Sequence, residues 1–153
     1  MQQDVEFGII QIVDIALRAM SPAVNDPSTA ISCIDQLSRI LIFWMGRMPA
    51  ISRYYAPPHV LRLVIPWIRL DGLLDTAFEQ IRHYGAADIA VSLRLMRAYY
   101  DMASATQQTD FRMKLLDRAR RLAEQSAEHL ISLDQVKIQK RLTALESMVS
   151  ISA

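Results

Sequence analysis

Apolar positions dominate residues 5 to about 20, where Phe7, Ile9, Ile10, Ile12, Val13, Ile15, Ala16, Leu17, Ala19 and Met20 leave polar side chains only at Gln11, Asp14 and Arg18. Spacings of three and four gather those three on one narrow stripe of a helix, with nearly all the remaining circumference apolar. Such a helix is expected at the centre of a bundle. Pro22 ends it, because proline lacks the amide and clashes with the preceding turn. A second pattern opens at Asn25-Asp26-Pro27-Ser28-Thr29. Proline at a first helical position gives up an amide that had no partner, and Asp26 before it can accept from the free amides of Ser28 or Thr29. This helix runs to about Gly46, with Ile31, Ile34, Leu37, Ile40, Leu41 and Trp44 as its apolar face.

Residues 47 to 58 read as a loop punctuated by Pro49, Pro57 and Pro58. Val60 to Ile65 is the one convincing strand, ended by Pro66, and it can pair with Arg53 to Ala56 as a small hairpin. Four more helical patterns follow, at about 69 to 84 (ended by Gly85), 86 to 104, 109 to 131 and 133 to 149. Thr109 or Asp110 is the expected cap of the fifth helix, and Ser132 or Leu133-Asp134 marks its junction with the sixth. The fold class is all-α: one domain over residues 1–153, an irregular bundle of about six helices with a very short β-hairpin near residues 53–65.

Composition narrows the setting. The chain has 153 residues, enough for one core, and is 52% hydrophobic. A mean hydropathy of +0.13 points to extensive burial, oligomer contacts or a nearby membrane. Seventeen basic residues against sixteen acidic give a net charge of +1, which argues against nucleic acid. The basic cluster from Arg112 to Arg141 alternates with Asp117, Glu124, Glu128 and Asp134, the pattern of a solvated helix face. A single cysteine, Cys33, lies in an apolar run and reads as a small buried hydrophobe. No secretory leader opens the sequence, and the longest strongly apolar stretch, Ile40 to Met45, is far short of the roughly 20 residues of a membrane helix.

Chemistry-bearing motifs are scarce. Gly-rich phosphate loops, Gly-x-Ser-x-Gly, His-Glu-x-x-His and Glu-x-x-His are all missing, and His59, His83 and His129 are scattered. No metal or cofactor is expected. Glu79 and His83 read as helix support one turn apart. Asp71, Asp75 and Glu79, at spacing four, suggest either a divalent-ion face or a solvated face neutralised by Arg82. The strongest candidate is the corner between the first two helices: Asp14, Arg18, Asn25, Asp26, Thr29 and Asp35, with Arg39 following. Charges facing into a bundle need partners. One reading makes these residues an ion-pair and capping network. The other makes them a polar pocket in which a helix N-terminus and Arg18 hold an anion, or the carboxylates hold a cation.

The same residues carry a resemblance. Asp4, Phe7-Gly8, Gln11-Ile12-Val13-Asp14-Ile15-Ala16, Arg18-Ala19, Ser21-Pro22, Asn25-Asp26-Pro27, Thr29-Ala30, Cys33-Ile34-Asp35 and Leu37 resemble an uncharacterised bacterial family of predicted membrane proteins known only as a domain of unknown function. The likeness returns at Leu73-Leu74-Asp75, Ala77-Phe78, Gln80-Ile81-Arg82, Tyr84-Gly85 and Asp88-Ile89-Ala90-Val91, and fades after residue 105. It implies the soluble portion of a larger protein anchored in the bacterial inner membrane, on the cytoplasmic face, with no established activity and no catalytic residues to carry over. It also implies glycine where Ala23 stands, which would strain the corner if that position needs a positive φ. Two function classes follow. The first is a non-enzymatic sensing, assembly or regulatory module that self-associates through apolar helices, with a membrane tether. The second is an ion- or anion-binding module or enzyme using the polar corner.

Overall fold

In the computed structural model, which describes residues 5–46, 53–64 and 70–150, the helical patterns become six helices. They are α1 (Val5–Ala19), α2 (Pro27–Met45), α3 (Leu70–Gly85), α4 (Ile89–Ser104), α5 (Thr109–Ala127) and α6 (Ser132–Ser150). Strands β1 (Arg53–Ala56) and β2 (Val60–Val64) form one antiparallel hairpin between α2 and α3. The fold is therefore all-α with a short hairpin. The last residue expected in the strand, Ile65, and the ends of the Pro-rich loop at 47–52 lie outside the described residues.

Local chemistry sets most helix ends. At α2 the Asp26 carboxylate accepts from the Thr29 amide at 3.1 Å and the Thr29 hydroxyl at 2.6 Å, with Pro27 in the first turn. At α4 it is Asp88 that caps, accepting from Ala90 N at 2.8 Å and Val91 N at 3.0 Å. That cap starts the helix at Ile89 rather than at 86. Gln108, without a side-chain bond, precedes α5, so Thr109 is its first residue and neither Thr109 nor Asp110 is the cap. The helix stops at Ala127, short of 131, in a turn where Glu128 N donates to Gln125 O at 3.3 Å and Leu130 N to Ser126 O at 2.9 Å, and the Gln135 side-chain amide of α6 donates to Ala127 O at 2.9 Å and to Leu130 O of the turn at 2.7 Å.

The centre of the bundle is α4. It packs against α2, α3, α5 and α6 and buries Val91, Ser92, Leu95, Met96, Ala98, Tyr99, Met102 and Ala103. Phe78 of α3 meets Tyr99 edge to face, with ring centroids 5.8 Å apart. Burial pushes the Tyr99 phenol above its ordinary range, so it stays neutral. Ser92 can be buried here because its hydroxyl donates to Gly85 O at 3.3 Å and meets the Ser126 hydroxyl of α5 at 3.3 Å. Gly85 permits the approach of α3 to α4: a Cβ there would lie 2.5 Å from Val91 Cγ1 and 3.3 Å from Met20 Sδ.

Two sequence expectations are corrected. The first helix is not central: α1 packs on α2 and α3 through Ile9, Val13, Ala16 and Ala19, while Phe7, Ile10 and Ile15 are exposed. Its apolar excess goes to the surface rather than to a second layer of core. Nor is Arg112 on a solvated face. It is buried, donating from Nε to Ala103 O at 3.1 Å near the carboxyl end of α4 and from a terminal nitrogen to Gln107 Oε1 at 3.4 Å. A cation is favourable where a helix dipole is negative.

Candidate functional site

The chain from α1 to α2 turns through a tight set of backbone bonds. Ser21 O accepts from Val24 N at 3.0 Å and Asn25 N at 2.9 Å, and Ala19 O accepts from Asp26 N at 2.8 Å. The Ser21 hydroxyl donates back to Arg18 O at 2.7 Å. The left-handed conformation in this corner belongs to Asn25, with φ of 48°, and not to Ala23. Asparagine tolerates that region better than other residues with a Cβ. The alanine is therefore unstrained.

Of the six candidate side chains, only Asp26 and Thr29 bond to each other. The Thr29 hydroxyl and amide, with the Ser28 amide, hold the Asp26 carboxyl below the usual carboxylate range. Asp35 faces away from the corner and pairs with Arg94 of α4. Asp14 and Arg18 sit on the outward side of α1, exposed, and form no ion pair with each other or with any other described residue. Asn25 is exposed, as is Arg39. The six residues therefore divide into a cap, Asp26 and Thr29, a turn residue, Asn25, one member of a cross-helix pair, Asp35, and an outward stripe, Asp14 and Arg18. Buried Cys33 matches its reading as a small hydrophobe, and burial pushes its thiol up.

Asp71 and Asp75 of the acidic series on α3 are neutralised from α5. Lys114 bridges Asp71 at 2.8 Å and Asp110 at 3.0 Å, while Arg118 pairs with Asp75. Glu79 pairs with Arg82 and not with His83, whose ring stands edge-on to Tyr84. The Arg82 guanidinium holds the Glu79 carboxyl below its ordinary value. Asp75, Glu79, Asp117, Arg118 and Arg121 line an open, charged cleft of about 430 Å³. Among the described residues no group of three or more His, Cys, Asp or Glu side chains is placed to hold a metal ion.

Comparison with known proteins now bears on this geometry. Residues 1–101 match the family model described as Predicted membrane protein (DUF2254). The chain belongs to this family. The match runs from the start of the chain into α4 and includes the whole corner. The uncharacterized proteins Mb1321c of Mycobacterium bovis and Rv1290c of Mycobacterium tuberculosis are each 35% identical over 132 residues, or 86% of this chain. The chain spans about a quarter of the length of these curated relatives, 23% in each case. No solved structure matches it. No helix among the described residues is long and apolar enough to cross a membrane.

Sequence reading missed two of the residues that organise this region. Asp88 carried an available signal, an aspartate just before the apolar run Ile89-Ala90-Val91. Arg94 had none, since its partner lies 59 residues earlier.

Proposed function

We propose that this domain is a non-enzymatic assembly module of its membrane-protein family, working by contact between copies of itself. It serves a protein of the bacterial inner membrane from the cytoplasmic face. One observation carries the reading: the outward stripe of α1 combines exposed Phe7 and Ile10, flanked by Ile15, with the opposite charges Asp14 and Arg18, which form no ion pair among the described residues. Such a stripe is self-complementary. When two copies of α1 lie antiparallel across a two-fold axis at the level of residue 16, Asp14 of each meets Arg18 of the other, Ile15 is covered close to the axis, and Ile10 and Phe7 rest on the corner that follows α1 in the other copy. The remaining corner residues have structural duties: Asp26 and Thr29 close a helix end, and Asp35 ties α2 to α4.

The test is sedimentation equilibrium of the chain with a charge swap. The wild type should be a dimer. Asp14→Arg sets like charges against each other twice and should weaken the dimer roughly tenfold or more. The double variant Asp14→Arg/Arg18→Asp restores the pairing and should recover it. A wild type that stays monomeric at every concentration, or a swap that fails to rescue, refutes the proposal.

A further inference from the structure

The hairpin is an element without a core. Tyr54, Tyr55, Val60, Leu61, Leu63 and Val64 are all exposed, at 43 to 57% of their surface, and among the described residues neither strand belongs to the hydrophobic core or packs against it. Cross-strand pairing sets Tyr54 against Leu63 and Tyr55 against Leu61, with a bulge between them that leaves Arg62 outside the register. A lone two-stranded hairpin is marginally stable in water, so six large apolar side chains displayed on one call for a surface to rest on.

Charge says what kind of surface. Between Asp35 and Asp71 there is no acidic residue at all, while Arg39, Arg47, Arg53, Arg62 and Arg69 all fall there. This stretch holds five of the seventeen basic residues and none of the sixteen acidic ones, so it carries +5 and the rest of the chain −4. Arg53 and Arg62 are exposed and pair with no described carboxylate. Aliphatic side chains and tyrosine beside arginine that pairs with no described carboxylate, with no acid among them, suit the boundary between anionic headgroups and acyl chains. A protein partner of ordinary mixed charge would leave these arginines unmatched.

We infer that the hairpin docks the domain onto an anionic lipid surface: its apolar side chains enter the interface while Arg53 and Arg62 meet the headgroups. This contact is independent of the α1 stripe. Flotation of the full chain with vesicles tests it, comparing phosphatidylcholine alone with phosphatidylcholine containing phosphatidylglycerol. The chain should float with the anionic vesicles at low salt and be released by high salt. Arg53→Glu/Arg62→Glu should lower the affinity roughly 30-fold or more, and Leu61→Ser/Leu63→Ser should also weaken it, both with unchanged far-ultraviolet circular dichroism. Asp14→Arg should leave vesicle binding intact. A wild type that ignores anionic vesicles, hairpin variants that bind as well as wild type, or binding that is lost with Asp14→Arg instead, overturns the inference.

Discussion

Gly85 offers a quantitative test of the packing. It is buried at the end of α3, where that helix meets α4 and the residue that follows α1, Met20. An added Cβ would stand 2.5 Å from Val91 Cγ1, well inside contact distance, and 3.3 Å from Met20 Sδ. Met20 can bend its thioether aside. Val91 cannot easily retreat, since it is fully buried and a β-branched side chain in a helix has one strongly preferred rotamer. Overpacking of this kind costs about 1–3 kcal/mol. A gain of up to about 1 kcal/mol from replacing glycine in a helix partly offsets it. Gly85→Ala should therefore lose about 1–2 kcal/mol in urea denaturation followed by circular dichroism. Val91→Ala alone removes two buried methyl groups and leaves a cavity, costing about 2–3 kcal/mol. In the double variant the new methyl occupies space that Val91 gave up, so the pair should be no less stable than Val91→Ala alone. The coupling of about 1–3 kcal/mol is the signature of direct contact. Additive losses, or a Gly85→Ala protein more stable than wild type, would refute the argument that this glycine is there for the approach of α3 to α4.

Arg112→Met should destabilise the fold by about 1–3 kcal/mol, because it strips the donor from the buried Ala103 carbonyl near the α4 terminus; urea midpoints measure it, and an unchanged midpoint contradicts the assigned role. For Asp26 the sign follows from a folded-state pKa held below that of the unfolded chain: its stabilisation is complete above the unfolded value and is lost as pH falls through the folded one. The melting temperature of Asp26→Ala should thus lie below wild type at neutral pH and converge with it in strong acid, whereas Asp26→Asn, which keeps a capping oxygen, should lack that pH-dependent component.

The helices were legible because each reports itself locally. Pro22 and the Asp26-Pro27 pair mark the corner, and the apolar spacing in α2 and α3 recurs with the helical period. Arg53 to Ala56 and Val60 onward were legible as strands because prolines isolate them and β-branched and aromatic residues fill them. Placement of α1 was not, since counting apolar residues does not reveal what they cover: Phe7, Ile10 and Ile15 face solvent, and α4, less apolar by sequence, takes the centre. Within the candidate corner, the Asp26 cap was readable from three consecutive residues. The fate of Asp35 was not, because Arg94 reaches it only after the chain has passed through the hairpin and α3. Long-range pairing leaves no periodic trace.

The position of α4 also bears on the order in which the molecule can be made. Helices α1 to α3 leave the ribosome before α4, yet Leu73, Phe78 and Ile34 belong to a core that includes Leu95, Tyr99 and Met102. Until α4 has left the exit tunnel, that surface is open to solvent and to chaperones. Even then, Ser92 lacks the Ser126 hydroxyl, and Ala103 O lacks the Arg112 guanidinium, until α5 is synthesised. A ribosome-stalled chain ending within α4 would therefore present a sticky, half-closed intermediate, and arrival of the last two helices is the step that makes it protease-resistant.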